Sequence, residues 1–141
     1  MQADADYTGA LLRRHRRTFR AVTLTVVPEA IRLPENEWVA IESIVADALA
    51  PRPRAMLRQL GVFMHVIDIV AFLRRGRRFR ALGSSARTRI LQGFERSSVL
   101  LLRRGFWGLR TLALMGYYAR PEARRDIGYR ADARGWEARA S

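Results

Sequence analysis

Few residues in this sequence are suited to chemistry. His65 and Asp68 sit three apart in an apolar stretch, a spacing that lets two side chains meet on one helix face. Such a pair can serve as acid and base. It reads equally as a buried polar pair in which Asp68 takes an arginine partner, because a buried carboxylate must be compensated. No nucleophile, glycine-rich phosphate loop or second carboxylate accompanies it in sequence, so structure is the simpler role. His15 and His65 lie in different segments without ligand-spaced neighbours, and no metal site is expected from them. Cysteine is absent, which excludes disulfides, thiolate catalysis and cysteine-ligated clusters.

Arginine is the other reactive presence. All 26 basic residues are arginine, against 13 acidic ones, and the formal net charge is +13. A GC-rich coding bias favours arginine over lysine without any functional cause. The functional alternative is that guanidinium forks grip carboxylates and phosphates and stack on aromatic rings. The densest run is Arg74-Arg75-Gly76-Arg77-Arg78-Phe79-Arg80, and the second is Arg13-Arg14-His15-Arg16-Arg17. Basic patches contact phosphate, and Phe79 is placed to stack on a base. The same runs also suit a solvated turn or the carboxylates of a partner protein. No familiar nucleic-acid module surrounds either run.

The elements that must position these residues are helices. At 141 residues, 49% hydrophobic and 28% charged, the chain suits one globular domain with a real core. No stretch alternates with period two, so the expected fold is all-α, a single-domain bundle of about five helices over residues 1–141. Residues 1–7 and 130–141 are expected to be irregular tails. Thr8 caps a first helix that runs to Val27 and stops at Pro28. A second begins after Leu33-Pro34 with Glu35 and Glu37 at its positive end, carries Trp38, Ile41, Ile44, Val45, Ala48 and Leu49 as one stripe, and closes at Pro51 and Pro53. A third spans Arg54 to Arg75 with Gly76 as its cap. It is apolar nearly all round, which predicts a central helix, or one held between its own domain and a partner. Ser84 or Ser85 caps the fourth helix, which carries Ile90, Leu91 and Phe94. After a break at Ser97-Ser98 the fifth runs from Val99 to Ala119, and Pro121–Ile127 form a short helical turn.

The two most apolar stretches, Leu60–Leu73 and Gly105–Ala119, fall short of the roughly 18 apolar residues a spanning helix needs. Each also carries a charge, Asp68 and Arg110, so no transmembrane segment is expected. Arg16-Arg17-Thr18-Phe19 has the look of a twin-arginine export signal. Arg20 follows at once, however, and the apolar run Ala21–Val27 contains two threonines and stops at Pro28. A cytoplasmic location is the expectation.

The fifth helix is the most informative. Leu102, Phe106, Leu109, Ala113 and Gly116 share one face, while Leu100, Trp107, Leu114 and Tyr118 share a second, with Arg103 and Arg110 between. One stripe suffices to pack a helix into its own domain. The second, aromatic and flanked by arginine, is either a protein contact surface or further core. Gly105 and Gly108 are candidate points of close backbone approach.

The succession Phe79-Arg80-Ala81-Leu82, Arg87-Thr88-Arg89-Ile90-Leu91, Phe94-Glu95-Arg96-Ser97, Phe106-Trp107-Gly108-Leu109-Arg110-Thr111-Leu112-Ala113, Tyr117-Tyr118-Ala119-Arg120-Pro121 and Ile127-Gly128-Tyr129 resembles the helical small-subunit family of bacterial gluconate and glucose dehydrogenases. It is similar, too, to the helical domain joined to long-chain alcohol oxidases. Phe19-Arg20-Ala21-Val22 through Val26-Val27-Pro28-Glu29-Ala30 is similar to that family's opening helix, and the likeness spans roughly residues 15–129. It implies a non-catalytic accessory subunit, with the FAD, the catalytic histidine and any iron–sulfur cluster in a large glucose–methanol–choline type oxidoreductase subunit, and no cofactor in this chain. Small subunits of that family often carry a twin-arginine signal. This sequence departs there, which favours a cytoplasmic complex over co-export. Trp107, Leu114, Tyr117, Tyr118 and Tyr129 are then expected at or near the contact, with Arg103 and Arg110 pairing to partner carboxylates. The alternatives are a basic helical nucleic-acid-binding protein and, after it, an amphipathic adaptor with arginine-rich turns on anionic lipid.

Overall fold

The computed structural model describes residues 2–121 and 123, and side chains from residue 6 onward. Among these residues the fold is all-helical, with six α-helices: α1 Gln2–Arg14, α2 Arg16–Val26, α3 Glu35–Leu49, α4 Arg54–Arg75, α5 Ser84–Glu95 and α6 Leu100–Tyr118. Two 3-10 turns, Pro28–Arg32 and Phe79–Ala81, link α2 to α3 and α4 to α5.

The sixth helix arises because the expected first helix bends at His15, whose backbone leaves the helical region at φ −106° and ψ 17°. Hydrogen bonds still cross the bend, from His15 N–H to the Leu11 carbonyl at 3.1 Å and from Phe19 N–H to the His15 carbonyl at 2.9 Å. Five consecutive basic side chains occupy this point, and like charges three and four apart disfavour a straight helix. The bend sends α1 against α3 and α4 while α2 packs on α5 and α6. Helix α1 already begins at Gln2, within the stretch expected to be an irregular tail. Thr8 lies inside it, fully buried, and is not its cap.

The punctuation of the remaining helices follows the sequence closely, except that Gly83, and neither Ser84 nor Ser85, holds the N-cap of α5. Pro34 precedes α3 with Glu35 and Glu37 in its first turn, and Gly76 ends α4 at φ +74°, where a Cβ would be strained. The β-prone end of α2 stays helical because Thr23 and Thr25 donate their hydroxyls to the carbonyls of Phe19 and Ala21 at 2.9 and 2.8 Å.

The centre of the bundle is α6 rather than α4. It packs against α2, α3, α4 and α5. It approaches α4 at Gly105, where an added Cβ would lie 2.6 Å from the Phe63 ring, and α3 at Gly116, where a Cβ would lie 2.8 Å from an Ile41 methyl. Helix α4 buries Leu57, Gly61, Phe63, Met64, Ile67 and Ala71, but Val62, Ile69, Phe72 and Leu73 are more than half exposed on its outer face. The expectation that α4 is covered on all sides therefore fails for the chain alone. By length and composition α4 is apolar enough to cross a membrane, and a third of its most apolar window is buried in the bundle.

Ion pairs tie the outer layer together. Glu42, buried in the α3 stripe, accepts from Arg16 Nε at 3.1 Å and from Arg20 Nε at 2.9 Å. Arg20 also grips Glu35 with both terminal nitrogens at 2.8 Å and lies over the Trp38 ring. These bonds hold Arg20 firmly protonated and pull the exposed Glu35 carboxyl below its ordinary value. Arg120, almost fully buried, donates to Glu37 Oε2 and to the Tyr117 carbonyl, each at 2.9 Å.

Candidate functional site

Helix α6 separates its two apolar stripes as its periodicity requires. Phe106, Leu109, Ala113 and Gly116 are buried, and Leu102 is half-buried beside them. The second stripe faces out. Leu100, Trp107 and Tyr118 are 49%, 48% and 44% exposed, and Leu114 is half-buried between them. The reading in which both faces are internal does not describe this chain on its own.

The expected contact residues divide. The Arg110 guanidinium sits 5.3 Å from the centre of the Trp107 ring, and Arg103 is exposed on the same side of the helix. Tyr118 stands edge-on to Tyr117 at 5.0 Å. Tyr117 itself is half-buried, with the Arg120 guanidinium 4.4 Å over its ring, so it belongs to the latch between α6 and α3. Tyr129 lies outside the described residues. Gly105 makes the close approach expected of it. Gly108 does not, since among the described residues no atom beyond its chain neighbours and its own helix backbone lies within 4 Å of where its Cβ would stand.

A second site was invisible in sequence because its parts lie more than sixty residues apart. The bend at His15 and the turn after α4 bring the two arginine runs to one open basin of about 670 Å³. Arg13, Arg14 and Arg17 line it from one run, and Arg78 and Arg80 from the other. Among the described residues none of these five meets a carboxylate within ion-pair distance, whereas Arg16 is engaged by Glu42. Ile69, Phe72 and Leu73 of α4 supply the apolar part of its lining.

His65 and Asp68 reach this basin but do not form an acid–base dyad. Asp68 accepts from the Thr18 hydroxyl at 2.8 Å and from Phe79 N–H at 3.3 Å, so it is held by neutral donors and not by the expected arginine. His65 stands edge-on to the buried His15, ring centres 4.6 Å apart. Phe79 is fully buried and unavailable to stack on a base. Among the described residues no three metal-ligating side chains cluster closely enough to hold an ion.

Burial, then the neighbouring His65 and Arg14, hold the His15 imidazole below the ordinary histidine value, with Asp68 opposing them. Arg13, Arg16, Arg17, Arg78 and Arg80 face the same basin. The unfolded chain therefore takes up a proton on His15 first. Stability is present above pH about 6.5 and declines as pH falls from there through the lowered folded value. Chemical denaturation of His15→Gln between about pH 7 and pH 5 is expected to show a shallower decline than the parent chain. Equal slopes would assign the decline to other groups.

Fold and surface together define an all-helical protein with an outward aromatic helix face and a separate arginine basin. Comparison with protein-family models, with curated proteins and with solved structures finds no match to this chain.

Proposed function

We propose that this chain is a non-catalytic accessory subunit that binds and stabilises a larger protein through the outer face of α6. The observation that carries this reading is the half-exposed stripe of Leu100, Trp107 and Tyr118 with Arg103 and Arg110 beside it. Tryptophan, tyrosine and arginine are the side chains that most often dominate binding energy at protein interfaces. The residues that resemble the small subunits of gluconate and glucose dehydrogenases run through this same helix, and they name the partner class: a large FAD-dependent alcohol or sugar oxidoreductase subunit. In that complex the flavin belongs to the partner, and both chains reside in the cytoplasm.

The test is co-expression with the neighbouring reading frame and purification through a tag on this chain. A yellow, flavin-containing large subunit is expected to co-elute at about equal ratio. A folded, colourless chain eluting alone would remove the reading.

Convergence of the two arginine runs supports a second reading, that of a basic helical nucleic-acid-binding protein. It predicts a linear fall of log affinity with log salt on generic duplex DNA, with a slope set by the phosphates contacted. No salt-dependent binding would dismiss it.

A further inference from the structure

The arginine basin calls for an occupant independent of the α6 partner. Five guanidiniums that meet no carboxylate among the described residues line one concave surface, and their mutual repulsion is relieved by a bound anion. The planar fork matches phosphate oxygens in pairs. The apolar part of the lining gives the occupant a second character. Phe72 and Leu73 are 60% and 77% exposed within the same basin, and Ile69 stands beside them. These side chains continue a stripe along the outer face of α4, at positions 62, 66, 69 and 73, where Val62 and Ile69 are exposed and Val66 is half-buried. That spacing of i, i+4, i+7 and i+11 is one side of a helix.

Cations on one side of a surface and protruding aliphatic and aromatic groups on the other match a bilayer interface. There a layer of phosphates lies just outside the acyl carbons. Duplex DNA satisfies only the first half of this description, because it offers nothing to Leu73 and Phe79 is buried. An acidic peptide would likewise leave the α4 stripe uncovered.

We propose that the basin between the α1–α2 bend and the end of α4 seats the phosphates of an anionic lipid surface, with Ile69, Phe72 and Leu73 entering the edge of the acyl layer. The arginines supply charge recognition, and the apolar wall distinguishes a membrane from a soluble phosphate or a nucleic acid. Contact is in-plane, and the opposite side of α4 stays packed on the bundle through Met64, Ile67 and Ala71.

Flotation of the full chain tests this, with phosphatidylcholine vesicles that contain or lack phosphatidylglycerol, at about 0.15 M salt. The chain is expected to float with the anionic vesicles and to remain behind with phosphatidylcholine alone. The Arg17→Gln/Arg78→Gln/Arg80→Gln variant is expected to bind the anionic vesicles roughly a hundred-fold more weakly, about five-fold for each arginine. All three side chains are exposed, and an unchanged thermal melt certifies the fold; should the triple variant melt early, Arg17→Gln and Arg78→Gln singly carry the test. Phe72→Ser/Leu73→Ser is expected to lose vesicle binding while keeping the parent's affinity for a short DNA duplex. Equal flotation with both vesicle types would overturn the proposal. So would anionic-vesicle binding that survives the arginine substitutions, and so would a Phe72→Ser/Leu73→Ser chain that floats like the parent, which would leave a polyanion patch open to nucleic acid.

Discussion

Arg120→Ala is expected to destabilise the folded protein by about 2–4 kcal/mol, near the range for breaking a buried ion pair. Arg120 is 3% exposed and satisfies Glu37 and the Tyr117 carbonyl at once. Removing it strands a Glu37 carboxylate that is only 19% exposed and opens a gap over the Tyr117 ring. Residual water access to Glu37 keeps the loss below that of a fully sealed pair. The latch joins the end of α6 to the start of α3, so its loss frees the helix that the others pack around. A lowered thermal midpoint, by about 2–4 °C for each kcal/mol, is the expected reading. The cycle with Glu37→Leu sharpens the test. Replacing both partners by apolar groups is expected to cost less than Arg120→Ala alone, because no charge is then left stranded. An Arg120→Ala chain that melts like the parent would show that the pair is hydrated in solution.

Three glycines in α6 are expected to respond to alanine with opposite signs, and Gly116 gives the second large effect. Alanine gains about 1 kcal/mol of helix propensity at any of them. At Gly116 the new Cβ would sit 2.8 and 3.0 Å from methyl groups of Ile41 and Val45, with the Ile41 carbonyl at 3.4 Å. Both neighbours are β-branched and stiff at χ1, so the helices must separate, and overpacking of this kind costs about 1–3 kcal/mol. At Gly105 the Cβ meets the Phe63 ring, which is itself braced 5.2 Å from the Phe94 ring and has little room to retreat. Gly108 meets nothing within 4 Å. Gly116→Ala and Gly105→Ala should therefore lower the urea midpoint and Gly108→Ala should raise it. Three shifts of one sign would mean that propensity, and not the close approach of α6 to its neighbours, governs this helix.

These expectations rest on parts of the fold that were unequally legible in sequence. The proline and glycine punctuation located α3, α4, α5 and α6 to within a residue or two, because Pro34, Pro53, Gly76 and Pro121 act locally. Periodicity alone also separated two apolar stripes on α6, but whether the second faces out or joins the core was left open until the fold placed Leu100, Trp107 and Tyr118 at the surface. The bend at His15 was not legible, since it splits a helix without proline or glycine and is bridged by hydrogen bonds on both sides. Helix α4 shows a different limit. Its apolar residues told that two faces could be covered, but not that Val62, Ile69, Phe72 and Leu73 would stand more than half exposed among the described residues. Glu42 broke an otherwise apolar stripe, and only the geometry of Arg16 and Arg20 explains it. The arginine basin is tertiary altogether: each run alone reads as a solvated turn, and the site exists only where the two meet.

Whether the outer face of α6 holds the proposed partner is decided by one paired measurement. The tagged chain and its Trp107→Ala/Tyr118→Ala variant are each co-expressed with the product of the neighbouring reading frame, and any co-purifying flavin is read by absorbance. The substituted side chains are about half exposed, so the variant is expected to fold and melt much like the parent. The parent chain is expected to retain a flavin-containing subunit and the variant to lose it. Equal retention by a folded variant would overturn docking on this face. A variant that unfolds on its own would return Trp107 and Tyr118 to the core and remove α6 as the docking face.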